Sequence, residues 1–232
     1  MNRIIVTIVF CIGWMVCCAQ TKPVAVGAEA TNEYFPLLKG KRIAVLSNHT
    51  GMVGNEHLVD LLKRKDFNVV CIFSPEHGFR GNADAGEHVS SSVDEKTGIP
   101  ILSLYDGDTG KPSVKSMSLF DVLVFDLQDV GLRFYTYYAT MVRMMDACAE
   151  SQKKMIILDR PNPNGHYVDG PILDMKYKSG VGWLPIPVVH GMTLGELAMM
   201  VNGEKWLPEG RICDISVIKC KNYTHQTMYQ LP

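Results

Sequence analysis

Short apolar runs alternate with stretches of helical spacing along most of the chain. Apolar runs predict strands at residues 42–46, 68–73, 99–105, 121–126, 155–158, 186–189 and 212–218. Apolar residues recur at helical spacing in residues 58–64, 138–152 and 194–203. Runs that are apolar at nearly every position are typical of strands covered on both faces, as in parallel sheets. Their alternation with helices predicts an α/β fold with a doubly wound, mostly parallel sheet of Rossmann-like layout.

The beginning of the chain follows the pattern of an export signal. Residues 1–3 carry a positive charge, residues 4–16 are almost entirely apolar, and small residues follow. The apolar run is short for a membrane-spanning helix, and cleavage after Ala19 is the simplest processing. We therefore expect a signal peptide at residues 1–19 and a mature protein that is periplasmic or secreted, without a transmembrane span. Lipid anchoring at one of the two cysteines before Ala19 is the alternative.

Composition and charge narrow the classes of function. The 232 residues are 47% hydrophobic and 20% charged, with a formal net charge of −1. This balance provides no global field that would recruit nucleic acid, so we expect no nucleic-acid partner. The loop at residues 47–54 matches neither glycine-rich nucleotide motif, and no Cys spacing fits a metal site. We therefore expect no cofactor and no metal.

Residues 74–81 carry the strongest local signal for chemistry. They follow the predicted strand 68–73, and a proline and a glycine would end that strand in a sharp turn. Glu76, His77 and Arg80 lie within this segment. Ligands of open α/β sheets bind outside the carboxyl ends of the strands. A turn alone needs only the proline and the glycine, so the acid, the imidazole and the guanidinium favour a functional loop over a capped turn.

Polar side chains follow other predicted strands at the same edge of the sheet. Together with Arg80, we assign substrate binding to Asn48, Asp126, Arg133, Tyr135, Tyr137, Asp159, Asn162 and His190; Gln128 lies among them without an assigned role. Any one of these side chains could be a cap or a solvated loop residue. Their recurrence at one edge indicates a cleft instead, and carboxylates, amides and tyrosines suit a hydroxyl-rich substrate such as a saccharide.

A pair of carboxyl groups is the usual equipment for glycoside hydrolysis. We assign Glu76 as the general acid, because its apolar neighbours in the turn would desolvate it and raise its pKa. Asp129 or Asp126 would be the second carboxylate, and His77 completes the set of catalytic candidates. The sequence does not give the separation of the carboxyl groups, so the stereochemical outcome stays open.

Several ordered motifs together resemble one known family. They are residues 38–43 (LKGKRI), 48–51 (NHTG), 75–81 (PEHGFRG), 126–137 (DLQDVGLRFYTY), 159–163 (DRPNP) and 190–193 (HGMT). This set resembles the NamZ-type exo-β-N-acetylmuramidases, from about residue 37 to the end of the chain. Because the motifs occur in order, the resemblance is more specific than any one of them.

The resemblance implies an exported bacterial hydrolase with Glu76 as its catalytic acid. Its substrate would be terminal N-acetylmuramic acid at the non-reducing ends of peptidoglycan fragments. It also implies a Rossmann-like catalytic domain that faces a smaller C-terminal domain. We therefore divide the mature chain into a lead-in at 20–36, a catalytic domain at 37–210 and the start of an incomplete C-terminal domain at 211–232. A cleft without its second wall leads us to expect low activity from this chain alone.

Two mechanisms are compatible with this substrate. Muramic acid carries a lactyl carboxylate, for which Arg80 or Arg133 could supply a bidentate partner. It also carries a 2-acetamido group that can act as an internal nucleophile. Glu76 would therefore work either with a protein carboxylate or with the acetamido group of the substrate.

Other classes of function stay open at this point. A non-catalytic peptidoglycan-binding module would use the same arginines and tyrosines without needing Glu76. An esterase or amidase would need an activated nucleophile, and the chain has no G-x-S-x-G elbow. A metal hydrolase could use His77, Asp129 and His190, since these are suitable zinc ligands, but no spacing supports it.

Overall fold

The computed structural model describes residues 22–75, 79–80, 92–104 and 111–231, which form nine strands and five α-helices. The strands are β1 (Ile43–Ser47), β2 (Met52–Val53), β3 (Glu56–His57), β4 (Val69–Ser74), β5 (Ser92–Val93), β6 (Pro100–Ser103), β7 (Val122–Asp126), β8 (Lys154–Leu158) and β9 (Ile215–Ile218). The helices are α1 (Thr31–Leu38), α2 (Leu58–Arg64), α3 (Val114–Ser118), α4 (Tyr137–Glu150) and α5 (Leu194–Gly203).

Seven of the strands form one sheet in the order β5-β6-β4-β1-β7-β8-β9. All neighbours in it are parallel except β5, which pairs antiparallel with β6. The chain starts in the middle at β1, runs outward to β6, and then returns to the other side of β1 to form β7, β8 and β9. This is the order of a Rossmann-like sheet, and it confirms the α/β prediction. The direction of winding reverses between β1 and β7.

Both faces of the sheet are covered, because alternate residues of a strand point to opposite sides. Ala44 and Leu46 of β1 belong to a hydrophobic cluster that includes α4 and α5. Ile43 and Val45 belong to a second cluster that includes α1 and α2. Every residue of β1 and β7 is buried. Burial on both faces explains why these strands read as continuous apolar runs in the sequence.

The segment expected as a lead-in is part of the folded core. Helix α1 begins within it at Thr31 and continues past its end to Leu38, and Tyr34 and Leu38 on this helix are fully buried. The Tyr34 hydroxyl donates a hydrogen bond to the Ala28 carbonyl oxygen (2.9 Å). Two buried side chains one turn apart hold this helix against the sheet. The expected boundary between residues 36 and 37 therefore falls inside α1.

The segment expected to begin a second domain contributes to the same sheet. Strand β9 pairs in parallel with β8, with Met155 opposite Ile215. Beyond β9, the backbone groups of Lys221 exchange two hydrogen bonds with those of Ala25 (3.0 and 2.8 Å). The boundary between residues 210 and 211 is therefore not a break in the sheet, because backbone pairing with β8 continues on its far side.

One predicted strand has a different structure. Residues 186–189 form no strand; Val189 instead makes isolated antiparallel bridges with Leu132 and Asp169. Pro187 has no N–H and cannot donate to a ladder, which limits pairing to this single position. Within the described ranges, no helix is long and apolar enough to span a bilayer.

Candidate active site

The candidate site lies where β1 and β7 end side by side. Ser47 and Asp126 are register partners at the carboxyl ends of these strands. The winding of the sheet reverses between them, and such switch points are where open α/β sheets bind ligands. The loops after β1 and β7 therefore bring the predicted residues Asn48 and Asp129 to the same edge.

Asn48 joins the two loops and the start of α4. Its side-chain Nδ2 donates to the Tyr137 hydroxyl (2.9 Å), and its Oδ1 accepts from the Thr50 backbone N (3.0 Å) and hydroxyl (2.6 Å). Thr50 Oγ1 in turn accepts from the backbone N of Gln128 (3.2 Å). Asn48 is fully buried, and this network makes it a positioning residue for the loops on either side.

Asp129 is a buried carboxyl group with only one satisfied oxygen. Its Oδ1 accepts a hydrogen bond from the Gly131 backbone N (2.7 Å), whereas its Oδ2 has no partner. Burial raises the pKa of Asp129 to about 7, although the backbone N–H groups of Gly131 and Val130 oppose the rise. The group is therefore poised to gain or lose a proton near neutral pH, which suits a general acid or base.

Gln128 is held rigidly beside it. Its Nε2 donates to the backbone oxygens of Asp129 (2.8 Å) and Pro161 (2.7 Å), and its Oε1 is buried without a partner. The sequence places Gln128 at this edge but gives it no role. In the structure, its two donated hydrogen bonds fix the direction of its unpartnered oxygen.

His190 approaches the same loop from a different part of the chain. The Val189 bridge to Leu132 places it, and its backbone N donates to the Gly131 oxygen (3.2 Å). The ring Nδ1 accepts from the Met192 backbone N (3.2 Å), and Nε2 is buried without a partner. Desolvation lowers the pKa of His190 to about 4, so the ring is neutral at physiological pH.

Aromatic side chains border this edge. The rings of Tyr135 and Tyr137 meet edge to face, with 5.0 Å between centroids. Tyr135 is 38% exposed and Phe134 is 58% exposed, whereas Tyr137 is buried. Exposed aromatic surface next to buried polar groups is the arrangement predicted for a saccharide platform.

Asp126 is committed to an internal ion pair. Arg160 donates to it through Nε (2.6 Å to Oδ1) and Nη2 (3.0 Å to Oδ2), and both side chains are buried. Arg160 Nη2 also donates to the Met52 carbonyl oxygen (3.0 Å). The structure therefore separates the two carboxylates that the sequence left as alternatives: both oxygens of Asp126 are paired with Arg160, whereas one oxygen of Asp129 has no partner.

Asp159 and Asn162, two other predicted binding residues, also have internal partners. Asp159 accepts from the Thr193 hydroxyl (2.7 Å) and the Gly195 backbone N (2.9 Å), which anchors the start of α5. Asn162 Nδ2 donates to the Met192 carbonyl oxygen (2.8 Å), and its Oδ1 accepts from the backbone N that follows two residues later (2.8 Å). Substrate contact by either residue stays a prediction.

The two predicted arginines are likewise engaged. Arg133 Nη1 donates to the carbonyl oxygens of Pro171 (2.8 Å) and Ile186 (2.7 Å). Arg80 is clamped between Asp94 (2.9 Å) and Asp60 (3.0 Å), and the hydrogen bonds to Asp94 raise its pKa further. Both guanidinium groups therefore already have internal partners. The lactyl carboxylate that the sequence suggested as their ligand stays a prediction.

Glu76 and His77 lie outside the described residues. The description stops at Pro75, directly after β4, and resumes at Phe79, which packs edge to face against His57 (4.8 Å between centroids). Strand β1 is the only strand between β4 and β7. Because adjacent strands lie about 4.8 Å apart, β4 and β7 end roughly 10 Å from each other.

The metal-site alternative gains no cluster from the structure. Among the described residues, no group of three or more His, Cys, Asp and Glu side chains is arranged to hold a metal ion. Asp129 and His190 both lie at the candidate site, while His77, the third ligand of that hypothesis, is not described.

Comparison with known proteins gives a consistent result. The family model described as "Exo-beta-N-acetylmuramidase NamZ, N-terminal" matches residues 43–232. The peptidoglycan β-N-acetylmuramidase NamZ of Bacillus subtilis (strain 168) is 45% identical over 194 residues, which are 82% of this chain and 46% of that protein.

Two crystal structures of DUF1343 family proteins from Bacteroides fragilis NCTC 9343 have the same fold. The one solved at 1.30 Å matches with a TM-score of 0.83 and 69% identity, covering 91% of this chain and 56% of the other. The one solved at 1.65 Å matches with a TM-score of 0.79 and 38% identity, covering 88% and 52%. The chain thus spans about half the length of the relatives that it matches.

Proposed function

Because this chain belongs to the NamZ family of exo-β-N-acetylmuramidases, we propose that it acts on peptidoglycan fragments and removes terminal N-acetylmuramic acid from their non-reducing ends. Family membership confirms the resemblance inferred from the ordered motifs. The proposed substrate is a peptidoglycan-derived saccharide, and the proposed reaction is hydrolysis of a glycosidic bond.

The observation that best supports this proposal is the state of Asp129. It is a buried carboxyl group with a pKa of about 7 and one unpartnered oxygen, at the switch point of the sheet. Glycosidases need a carboxyl group whose protonation state changes near the working pH. Asp126, the other candidate, is fully paired with Arg160.

In the proposed reaction Glu76 protonates the departing glycosidic oxygen as the bond from the anomeric carbon breaks. Either Asp129 or the 2-acetamido oxygen of the substrate then assists on the opposite side of the sugar. A water molecule finally supplies hydroxide to the anomeric carbon, and its remaining proton restores the acid.

Export is a second part of the proposal. Residues 1–19 have the charge and hydrophobicity of a signal peptide, and peptidoglycan lies outside the cytoplasmic membrane. We propose that the mature protein works in the periplasm or is secreted, with lipid anchoring as the alternative form of attachment. Labelling the protein in fractionated cells would test this directly; retention in the cytoplasm would contradict it.

The first prediction concerns Glu76. We expect Glu76→Gln to lower turnover of a chromogenic N-acetylmuramic acid β-glycoside by about 10²–10⁴-fold, because the amide cannot donate the acid's proton. Binding of free N-acetylmuramic acid, measured by calorimetry, should be unchanged. The N-acetylglucosamine glycoside serves as the substrate control.

Glu204→Gln is the matched protein control, since Glu204 is exposed at the end of α5. It should keep the unmodified rate. Equal turnover by the Glu76 variant and the unmodified chain would contradict the role of Glu76. Binding without turnover by either chain, and also by a version extended through a second domain, would favour the non-catalytic binding module.

A further inference from the structure

Three buried side-chain atoms at the candidate site have no hydrogen-bond partner: Gln128 Oε1, Asp129 Oδ2 and His190 Nε2. No other buried side-chain nitrogen or oxygen in the described ranges is left in this way. They belong to one connected loop network, because Gly131 bonds to Asp129 through its N–H and to the His190 backbone through its oxygen. Buried polar groups nearly always have a partner in the protein, in ordered water or in a ligand. Three such atoms in one loop network therefore mark a place where the polar groups of a substrate would find partners.

The hydrogen-bonding role of Gln128 is fixed by the protein. Its Nε2 is the nitrogen that donates to two backbone oxygens, those of Asp129 and Pro161. Carbonyl oxygens only accept, so the amide cannot be flipped without losing both bonds. The unpartnered atom is therefore an oxygen, and it offers a hydrogen-bond acceptor.

The role of His190 is fixed as well. The Met192 N–H donates to Nδ1, so Nδ1 must carry a lone pair and not a proton. In the neutral ring the proton is then on Nε2. The unpartnered atom is therefore an N–H group, and it offers a hydrogen-bond donor.

We propose that Gln128 and His190 recognise the 2-acetamido group of the sugar, with the amide N–H donating to Gln128 Oε1 and the amide oxygen accepting from His190 Nε2–H. This inference rests on the proposed function and names the residues that would select its substrate. It also gives Gln128, which the sequence left without a role, the function of a specificity-determining residue.

The properties of the site favour an acetamido group over the other substituents of the sugar. Both protein groups are neutral, and the nearby guanidinium groups of Arg133 and Arg160 are engaged internally, so a carboxylate would lose solvation without gaining a charged partner. The two atoms are shielded from solvent, which favours a small side arm over the ring itself. An amide supplies one donor and one acceptor on separate atoms, matching the pair.

The test compares binding of free N-acetylmuramic acid with binding of the analogue that keeps the lactyl group and has a hydroxyl group in place of the acetamido group at carbon 2. Calorimetry or NMR titration of the whole chain gives the ratio of the two dissociation constants. We expect the unmodified chain to prefer the acetamido sugar. We expect His190→Phe and Gln128→Met each to reduce that preference roughly three- to tenfold, the loss of one hydrogen bond.

His190→Gln provides a rescue, because its side-chain amide carries an N–H group at about the reach of Nε2. It should recover part of the preference that His190→Phe loses. His166→Phe and Gln152→Met, at exposed positions, are the matched controls and should keep the unmodified ratio. In a turnover assay, the change should appear mainly in KM.

The outcomes separate this inference from the proposed function. A preference that falls in both variants supports the inference, even if the chain hydrolyses neither glycoside, in which case the proposed function alone fails. A ratio near one in the unmodified chain overturns the inference, whether or not the variants fold. An unchanged ratio in folded variants also overturns it and leaves these side chains a structural role only.

Discussion

Two aspartates, one at the end of β7 and one in the loop after it, lie three residues apart and have opposite environments. Asp126 is fully buried and receives two hydrogen bonds from a buried guanidinium. Asp129 is buried almost as deeply, but one of its oxygens has no partner and its pKa rises to about 7. The difference shows that the hydrogen-bond partners of a carboxyl group at a strand end decide whether it is structural or reactive. Its position in the sequence does not decide this.

Asp159 lies between these extremes. Burial raises its pKa to about 6, and the hydrogen bonds from Thr193 and Gly195 oppose the rise. It has neutral partners for both oxygens, whereas Asp126 has a charged partner and Asp129 has a partner for one oxygen only. The three carboxyl groups therefore form a graded series at one edge of the sheet.

The largest expected effect on stability comes from breaking the ion pair between Asp126 and Arg160. Arg160→Leu should lower the free energy of unfolding by about 3–5 kcal/mol, because it leaves the Asp126 carboxylate buried without its cation. Urea unfolding followed by circular dichroism would measure the loss. The double variant Asp126→Leu/Arg160→Leu should recover most of it, since no buried charge remains.

An exposed ion pair provides the control for that experiment. Arg42 pairs with Asp121 (2.7 Å) at the surface, with side chains 47% and 36% exposed. Arg42→Leu should leave stability within the error of measurement, because exposed pairs contribute little. Equal losses for the Arg42 and Arg160 variants would contradict the distinction between buried and exposed pairs.

The next prediction concerns Asp129, the aspartate with one unpartnered oxygen. Between the usual pKa of an aspartate, near 4, and the native value of about 7, the folded protein holds a proton on Asp129 that the unfolded chain has lost. The contribution of Asp129 to stability is therefore present at low pH and lost as pH rises through 7. Asp129→Asn removes this dependence, so its stability relative to the unmodified chain should rise by roughly 2–3 kcal/mol from pH 5 to pH 8.

The variant must be compared with the unmodified chain, because the contribution of His190 to stability changes with pH in the opposite direction. Its native pKa of about 4 is lowered, so its own contribution increases as pH rises from 4 towards 6.5. Subtracting the two unfolding curves cancels this shared contribution. A difference that stays constant between pH 5 and pH 8 would show that Asp129 titrates as an ordinary surface aspartate.

The smallest effect on stability is expected at Asp159, whose environment is intermediate between those of Asp126 and Asp129. Thr193 donates to Asp159 and accepts from the Glu196 backbone N (3.2 Å) as the cap of α5. Thr193→Val should lower the free energy of unfolding by about 1–2 kcal/mol, the usual cost of a lost cap. Thr193→Ser keeps the hydroxyl and should restore most of the stability. A Val variant as stable as the unmodified chain would count against this role.

The fold could be predicted where local pattern was enough. The apolar runs of β1, β4, β7 and β8 indicated buried strands, and the Thr193–Glu196 spacing is that of a capping box. Helix α1 could not be identified in this way, since it begins with polar residues and contains Pro36. This helix is held in place by Tyr34 and Leu38, which are buried against residues of the sheet that are distant in sequence.

The site was predictable as a region and not as a set of roles. The ends of β1 and β7 bring Asn48 and Asp129 to one edge, whereas His190 reaches the same loop through the isolated bridge of Val189 and not from the end of a strand. Which aspartate is free depends on Arg160, which lies 34 residues beyond Asp126. The orientation of Gln128 similarly depends on the Pro161 carbonyl oxygen. Such partners meet only after the strands are ordered, so no local motif reports them.

The backbone exchange between Ala25 and Lys221 has a consequence for how the protein reaches this state. It joins the two extremes of the described chain, and Gly27 next to it donates to the Asp159 oxygen (2.8 Å). A side chain at position 27 would strike the Ile218 oxygen, at 2.1 Å from its Cβ. Residues 25–27 can therefore reach these partners only after β9 and Lys221 have been synthesised. Contacts so distant in sequence slow folding, because closing the long intervening loop costs entropy before the contacts form.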